Sequence, residues 1–283
     1  MPVATENAAP EAVRRPEPRR AGRELLLESV FRPLSNALAP VLARAGIAPP
    51  AVVLANAMTG LVAALALADG RLLAAAVLLQ LKTLLDNTDG QLARITGRVT
   101  LLGRHLDTEA DLLVNAVVFV AIAHVTGQPV LAAAGFVALT LVLAADFNAT
   151  ELYREVRGLS GRRPARTGGR AERVLEWIYV RFFGSLDDVL RWISRRRFER
   201  VVGAENAPRR VHEAQLAYID RVLVSVLANL GLTSQLVVLG ICLALGRPEL
   251  YLWFVLACLA ALVPLQLRAE ARARAALSTP RAG

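Results

Sequence analysis

Six stretches of the chain, about 51–69, 72–93, 106–126, 129–149, 222–246 and 249–267, are apolar enough to approach the roughly 20 helical residues that span a bilayer's hydrocarbon. They predict six transmembrane helices. The second and third cross only if helix continues through charged residues at one end. Ahead of them, Leu25, Leu26, Leu27, Val30, Phe31, Leu34, Leu38, Val41 and Leu42 recur at helical spacing among Glu28, Arg32 and Arg44. That periodicity predicts an amphipathic helix lying in the bilayer interface, kinked by Pro33 and Pro40. Residues 1–22 have no apolar run and read as a disordered tail, not a signal peptide.

Between the fourth and fifth stretches the pattern becomes short and basic. Ser160–Arg170 is rich in Gly, Pro and Arg, whereas Val174–Phe183 and Leu186–Val202 place apolar residues among arginines at helical spacing. Two interfacial helices are expected there, the second opened by Ser185 with Asp188 three residues on. Trp177, Tyr179 and Trp192 would suit headgroup depth. The resulting plan is all-α and polytopic. It comprises a tail (1–22), an interfacial helix (23–46), four spans (47–150), an Arg-rich cytosolic insertion (151–221), two spans (222–267) and a second tail (268–283).

Composition supports a membrane protein. Hydrophobic residues make up 55% of the 283, and the mean hydropathy is +0.44. The formal charge of +9 would suggest nucleic acid in a soluble chain, but an anionic bilayer surface accounts for it here, and no nucleic-acid partner is expected. Thirty of the 33 basic residues fall in the N-terminal region, the loop near 94–104, the 150–221 segment and the C-terminus. By the positive-inside rule both termini and those loops are cytosolic, as expected for a multi-pass protein of the inner (plasma) membrane. The two cysteines, Cys242 and Cys258, lie inside apolar runs, which excludes a disulfide scaffold.

The chemistry is concentrated in LKTLLDNTDGQLARITGRVTLLGRHLDTEADLL, residues 81–113. Asp86 and Asp89 share one helical face, as do Asp107 and Asp111, and a short connection between antiparallel helices brings those faces together. Four converging carboxylates repel by several kcal/mol at an effective dielectric of ~20, so a cation is required between them. With only oxygen ligands in the cluster, Mg²⁺ or Mn²⁺ fits best, and four carboxylates can hold two such ions. Gly90 and Ala93 leave one helix face without bulk, and Gly103 does so on the next. Arg94 is placed for a phosphate or a carboxylate, and Lys82 lies four residues before Asp86, either as its structural partner or as a functional group. His105 falls off the aspartate face and is expected at the surface. Asp146, Asn148, Glu151, Arg154 and Arg157 could line an acceptor pocket, although polar residues are ordinary at a helix end.

The pattern Asp86-x2-Asp89-Gly90-x2-Ala93-Arg94-x8-Gly103-x3-Asp107-x3-Asp111 resembles the CDP-alcohol phosphotransferase (CDP-alcohol phosphatidyltransferase) motif at all eight of its defined positions. The segment FRPLSNALAPVLARAGIAPPAVVLANAMTG is similar to that family's interfacial helix and first span, with Ala48-Pro49-Pro50 where the family commonly has Thr-Pro-Asn. The resemblance implies transfer of a substituted phosphoryl group from a CDP-alcohol, CDP-diacylglycerol above all, to an alcohol acceptor, with release of CMP. It implies metal ligation by Asp86, Asp89 and Asp107, with Asp111 as general base near or on a metal. Gly90, Ala93, Arg94 and Gly103, with Asp86 and Asp89, would form the CDP and phosphate surface, and Lys82, Arg154 and Arg157 are candidates for the acceptor. A homodimer embedded among membrane lipids is also implied. Two other readings use intramembrane aspartates, an Mg²⁺-dependent prenyltransferase and a cation-coupled transporter. The first needs a second Asp-rich motif, which Asp146, Asp187, Asp188 and Asp220 do not form, and the second needs polar residues within the other spans.

Overall fold

The computed structural model describes residues 22–159, 169, 173, 185–205 and 207–278. The expected helix Val174–Phe183, with Trp177 and Tyr179, lies outside the described residues, as does the stretch 160–168. The described chain is helical. A π-helical turn, Leu27–Phe31, leads into α1 (Arg32–Arg44); then follow α2 (Pro49–Ala68), α3 (Leu72–Ile95), α4 (Leu101–Thr126) and α5 (Pro129–Val156). The second half adds α6 (Ser185–Val202), α7 (Pro208–Tyr218), α8 (Arg221–Asn229), α9 (Leu232–Ala244) and α10 (Pro248–Ser278).

Prolines and glycines mark the boundaries. Pro49, Pro129, Pro208 and Pro248 each open a helix, where the missing N–H costs nothing. Gly127 ends α4 at φ +66°, a left-handed conformation that most side chains resist. Ahead of Pro33 the helix widens, and the Arg32 N–H reaches back to the Leu27 carbonyl. That π turn absorbs the proline that the sequence reading expected to kink the helix.

Among the described residues, five segments are long and apolar enough to cross a bilayer: Pro49–Ala68, Leu101–Thr126, Pro129–Val156, Pro208–Ala244 and Pro248–Ser278. The second expected span, 72–93, is the 24-residue helix α3, but Lys82, Asp86, Asp89 and Arg94 keep it out of that set. It packs along α2 and against α9 and α1. The expected fifth span, 222–246, is not one helix. Leu230 and Gly231 break it into α8 and α9, and a Cβ at Gly231 would stand 2.8 Å from the Ala228 carbonyl oxygen.

Among the described residues three apolar clusters form, a small one of Ala39, Val52 and Leu92 between α1, α2 and α3 and two more extensive cores. The larger joins α2, α3, α4, α5, α9 and α10 through Leu67, Leu79, Ile122, Leu139, Leu243, Tyr251 and Leu252. Around it Leu54, Leu65, Leu73, Val120, Val130, Ile241 and Trp253 are exposed, as an apolar solvent requires. The smaller core gathers Ala149, Ala214, Tyr218, Val224, Ala269 and Ala273 from the end of α5, from α7 and α8, and from the extended C-terminal half of α10. α6 matches the expected helix 186–202 in extent and leans Phe198 against Tyr218, ring centroids 5.2 Å apart. α7 was not foreseen. Its apolar residues are few, and the sequence shows it only through Pro208.

Polar groups bind this second layer. Asp220 caps α8 by accepting from the Leu223 N–H at 2.8 Å and pairs with Arg268 at 2.8 Å and Arg272 at 3.3 Å on α10. Glu270 accepts from Arg197 of α6 at 2.6 Å, and Gln266 donates to the Tyr218 hydroxyl. The start of the described chain is fastened too, with the Arg23 N–H on Ser225 Oγ and the Leu25 N–H on Asn229 Oδ1. Asp220→Ala is expected to cost about 2–3 kcal/mol, the sum of a lost cap and a broken ion-pair cluster. Asp220→Asn, which keeps the cap, should lose only about half of that in thermal unfolding of the detergent-solubilised protein.

Candidate active site

The aspartates sit on the α3–α4 pair because each helix carries them at one-turn spacing and the connection between the helices is short. One carboxylate oxygen each from Asp86, Asp89 and Asp107 lies within 4.8 Å of the other two. Asp89 is 7% exposed, and its Oδ2 and Asp107 Oδ1 are buried without a hydrogen-bond donor. Anionic oxygens in such a place lack the compensation that burial demands. A hard divalent cation supplies it, so the donor set fits such an ion.

Asp111 is compensated differently. Its Oδ1 receives the Lys82 ammonium at 2.7 Å, with Lys82 fully buried and the Asp111 side chain 18% exposed. Of the two readings that the sequence leaves open for Lys82, the structural pair with Asp86 on its own helix is not the contact that forms. The side chain crosses to α4, where Gly60 of α2 makes room for its stem. A Cβ at Gly60 would stand 2.4 Å from Val114 Cγ1 and 3.2 Å from Lys82 Cδ. Asp86 instead accepts from Asn56 Nδ2 of α2 at 3.2 Å. Asn56 and Gly60 were not read from the sequence. Their only signal was a polar and a small residue one turn apart inside an apolar span.

Around the cluster, Arg94 folds its guanidinium back over Gly90, 3.5 Å from where a Cβ would be, and donates to Gln91. Gly103 lies in the first turn of α4, its N–H capped by Thr100 Oγ1 at 3.1 Å. Asp107 and Asp111 line a cavity of about 390 Å³ between α4 and α5, with Thr108, Asn115 and Thr140 as further polar lining. Its remaining wall is mainly apolar, including Leu112, Phe136, Leu139, Leu143 and Phe147. His105 also lines it and is buried, contrary to the surface position expected, because that face of α4 turns toward α5. Of the acceptor candidates, Arg154 pairs with Glu151 at 3.1 Å. Arg157 donates to the carbonyls of Leu216 and Ile219 and lies 3.8 Å over the Tyr153 ring, which ties α5 to α7.

The family model for CDP-alcohol phosphatidyltransferase matches residues 47–193, from the start of α2 into α6. The chain belongs to that family. No curated protein and no solved structure matches it. The match covers every aspartate of the cluster together with Asn56, Gly60 and Lys82, so a transferase assignment and the geometry concern the same residues. The family assignment carries phosphatidyl transfer from a CDP-alcohol, and a divalent cation accords with the orphaned carboxylate oxygens.

Gly60→Ala is expected to overpack the α2–α3–α4 junction at a cost of about 1–3 kcal/mol. Thermal unfolding in detergent should show the loss. Gly60→Ala combined with Val114→Ala, which removes the clashing methyl, should recover most of it.

Proposed function

We propose that this protein is a membrane transferase that moves a phosphatidyl group from CDP-diacylglycerol to the hydroxyl of an alcohol acceptor and releases CMP. The observation that carries this reading is the trio Asp86, Asp89 and Asp107, the second buried and the others half-buried, beside a largely apolar cavity that Asp107 and Asp111 help to line. A diphosphate-bearing lipid needs both features. Its headgroup seeks the charged end, and a hydrocarbon chain suits Leu112, Leu139 and Leu143. With α3 counted as a sixth span, the site lies near one membrane face. The positive-inside pattern makes that face cytosolic, in the inner (plasma) membrane.

Asp86, Asp89 and Asp107 would hold Mg²⁺ or Mn²⁺, which when bound supplies positive charge against the donor's diphosphate. Gly90 and Ala93 leave the α3 surface open to the nucleotide, and Arg94, folded over Gly90, is within a side chain's swing of the phosphates. The acceptor oxygen attacks the β-phosphorus as its proton passes to Asp111. The bond to the bridging oxygen breaks, and CMP leaves with the electron pair. Lys82 holds one oxygen of Asp111, which leaves the other to face the acceptor. The phosphatidyl group ends on the acceptor oxygen, so bonds and charge balance without another reactant.

Purified protein in detergent or liposomes, given CDP-diacylglycerol and a panel of acceptors, is expected to release CMP only with one acceptor and only with Mg²⁺ or Mn²⁺. Asp111→Asn should slow release by about 10²–10⁴-fold. Release that persists in EDTA, or in Asp111→Asn, would sink the assignment. Thr140→Phe, projecting into the cavity, should displace about two methylenes of a bound chain. It should raise KM for a long-chain donor roughly tenfold. A short-chain donor should be spared. Equal effects on both chain lengths would show that the cavity is not the lipid site.

A further inference from the structure

We propose that Asn115 is a specificity residue of the transferase: its amide binds an ester carbonyl of the donor lipid, so that the enzyme distinguishes acyl-ester donors from alkyl-ether ones. The inference rests on the reading of the α4–α5 cavity as the lipid site and concerns which lipids that cavity accepts.

Within an apolar helix bundle a buried amide is expected to bond a neighbour. Asn56 and Gln235 do so, donating to Asp86 and to the Leu230 carbonyl. Asn115 does not. It is 6% exposed and lines the cavity, yet among the described residues its side chain has no hydrogen-bond partner. An unpaired amide in such surroundings destabilises the fold, and a ligand that supplies the missing partner relieves the cost.

Helix register places the amide. α4 and α5 are antiparallel and joined at Gly127 and Gln128. Phe119 and Phe136 meet edge to face, ring centroids 5.8 Å apart, and this register sets Asn115 level with Thr140 one turn nearer the aspartates. The Thr140 hydroxyl donates to the Phe136 carbonyl at 2.9 Å. The donor left open to the cavity at that level is therefore the Asn115 amide. Asp111 stands four residues before it, about 6 Å along the helix axis. Leu112 and Leu143 line the cavity between the two levels.

This order selects the ligand group. Among the described residues no lysine or arginine lines the cavity, so the group facing Asn115 is uncharged. It accepts a hydrogen bond and has hydrocarbon around it. In a diacylglycerol phosphate the ester carbonyls lie roughly 6 Å from the phosphorus, comparable with one helical turn. A phosphorus poised beside Asp111 thus brings an ester to Asn115. A small polyol at the same level would turn its other hydroxyls toward Phe136, Leu139 and Leu143, which cannot bond them.

The test compares CDP-diacylglycerol with its dialkyl-ether analogue of equal chain length, using purified wild type and Asn115→Leu in detergent. The acceptor and Mg²⁺ are the same in every arm, so an ester preference belongs to the donor. Wild type is expected to favour the diester by about 3–10-fold in kcat/KM, the effect of one neutral hydrogen bond, with the difference falling on KM. In Asn115→Leu that preference should vanish. The ligand-free variant should also unfold at a higher temperature than wild type, because an apolar side chain of similar shape replaces an unpaired amide. A merely structural Asn115 would lower it. Equal kcat/KM for the two donors in wild type, a preference that survives in Asn115→Leu, or a fall in the unfolding temperature each overturns the proposal. Should Asn115→Leu not be recovered folded, Asn115→Ala is held to the same outcome on the donor pair. CMP released equally from both donors removes only the role of Asn115, whereas no CMP from either donor with any acceptor removes the transferase reading itself.

Discussion

Carboxylates gathered at the edge of a low-dielectric region have to be compensated, and the arrangement of α2, α3 and α4 follows from that requirement. Asp111 is met by Lys82, Asp86 by Asn56, and the oxygens of Asp89 and Asp107 that remain bare define where a cation belongs. Each solution needs close helix packing. Gly60 provides it, since any side chain there would collide with Val114 and with the stem of Lys82. The mutual fit of α2, α3 and α4 is therefore as much an electrostatic arrangement as a hydrophobic one. The same helices bury Ala63, Leu67, Ala75 and Leu79 within the larger core.

The second layer serves the first. α7, α8 and the C-terminal half of α10 form a small core of their own, fastened by the Asp220, Glu270 and Arg157 contacts. Most of these link an acid or a carbonyl on one helix to an arginine on another. Such bidentate or partly buried pairs fix orientation more than they add stability. They set the end of α5 against α7 and α10. Because α5 forms one wall of the cavity next to Asp107 and Asp111, the layer holds that wall in position.

The competing uses of intramembrane aspartates meet the geometry poorly. A prenyltransferase needs a second acidic motif facing the first, and Asp220 is spent on Arg268 and Arg272. A cation pathway would run through polar residues along the spans. Yet the wall continuing from Asp107 and Asp111 is largely aliphatic and aromatic, which suits a hydrocarbon chain and not a hydrated ion.

By itself the sequence determined the helical, membrane-embedded class, most helix boundaries and the aspartate motif. Those depend on local signals: apolar run length, proline at helix starts, and carboxylates spaced by one turn. The break at Leu230–Gly231 was less legible, because the apolar pattern runs through it unchanged. α3 shows the limit of hydropathy, since the charges that make it the chemical helix also hide it as a span. Only the tertiary structure decided which partner each buried charge takes. Lys82 lies one turn from Asp86 along the chain, yet its ammonium meets Asp111. Asn56 and His105 likewise acquired their places from helices that are remote in sequence. The physical reason is that spacing along one helix fixes which residues share a face. What that face meets is set by how closely neighbouring helices approach, and here a glycine on a third helix controls that approach.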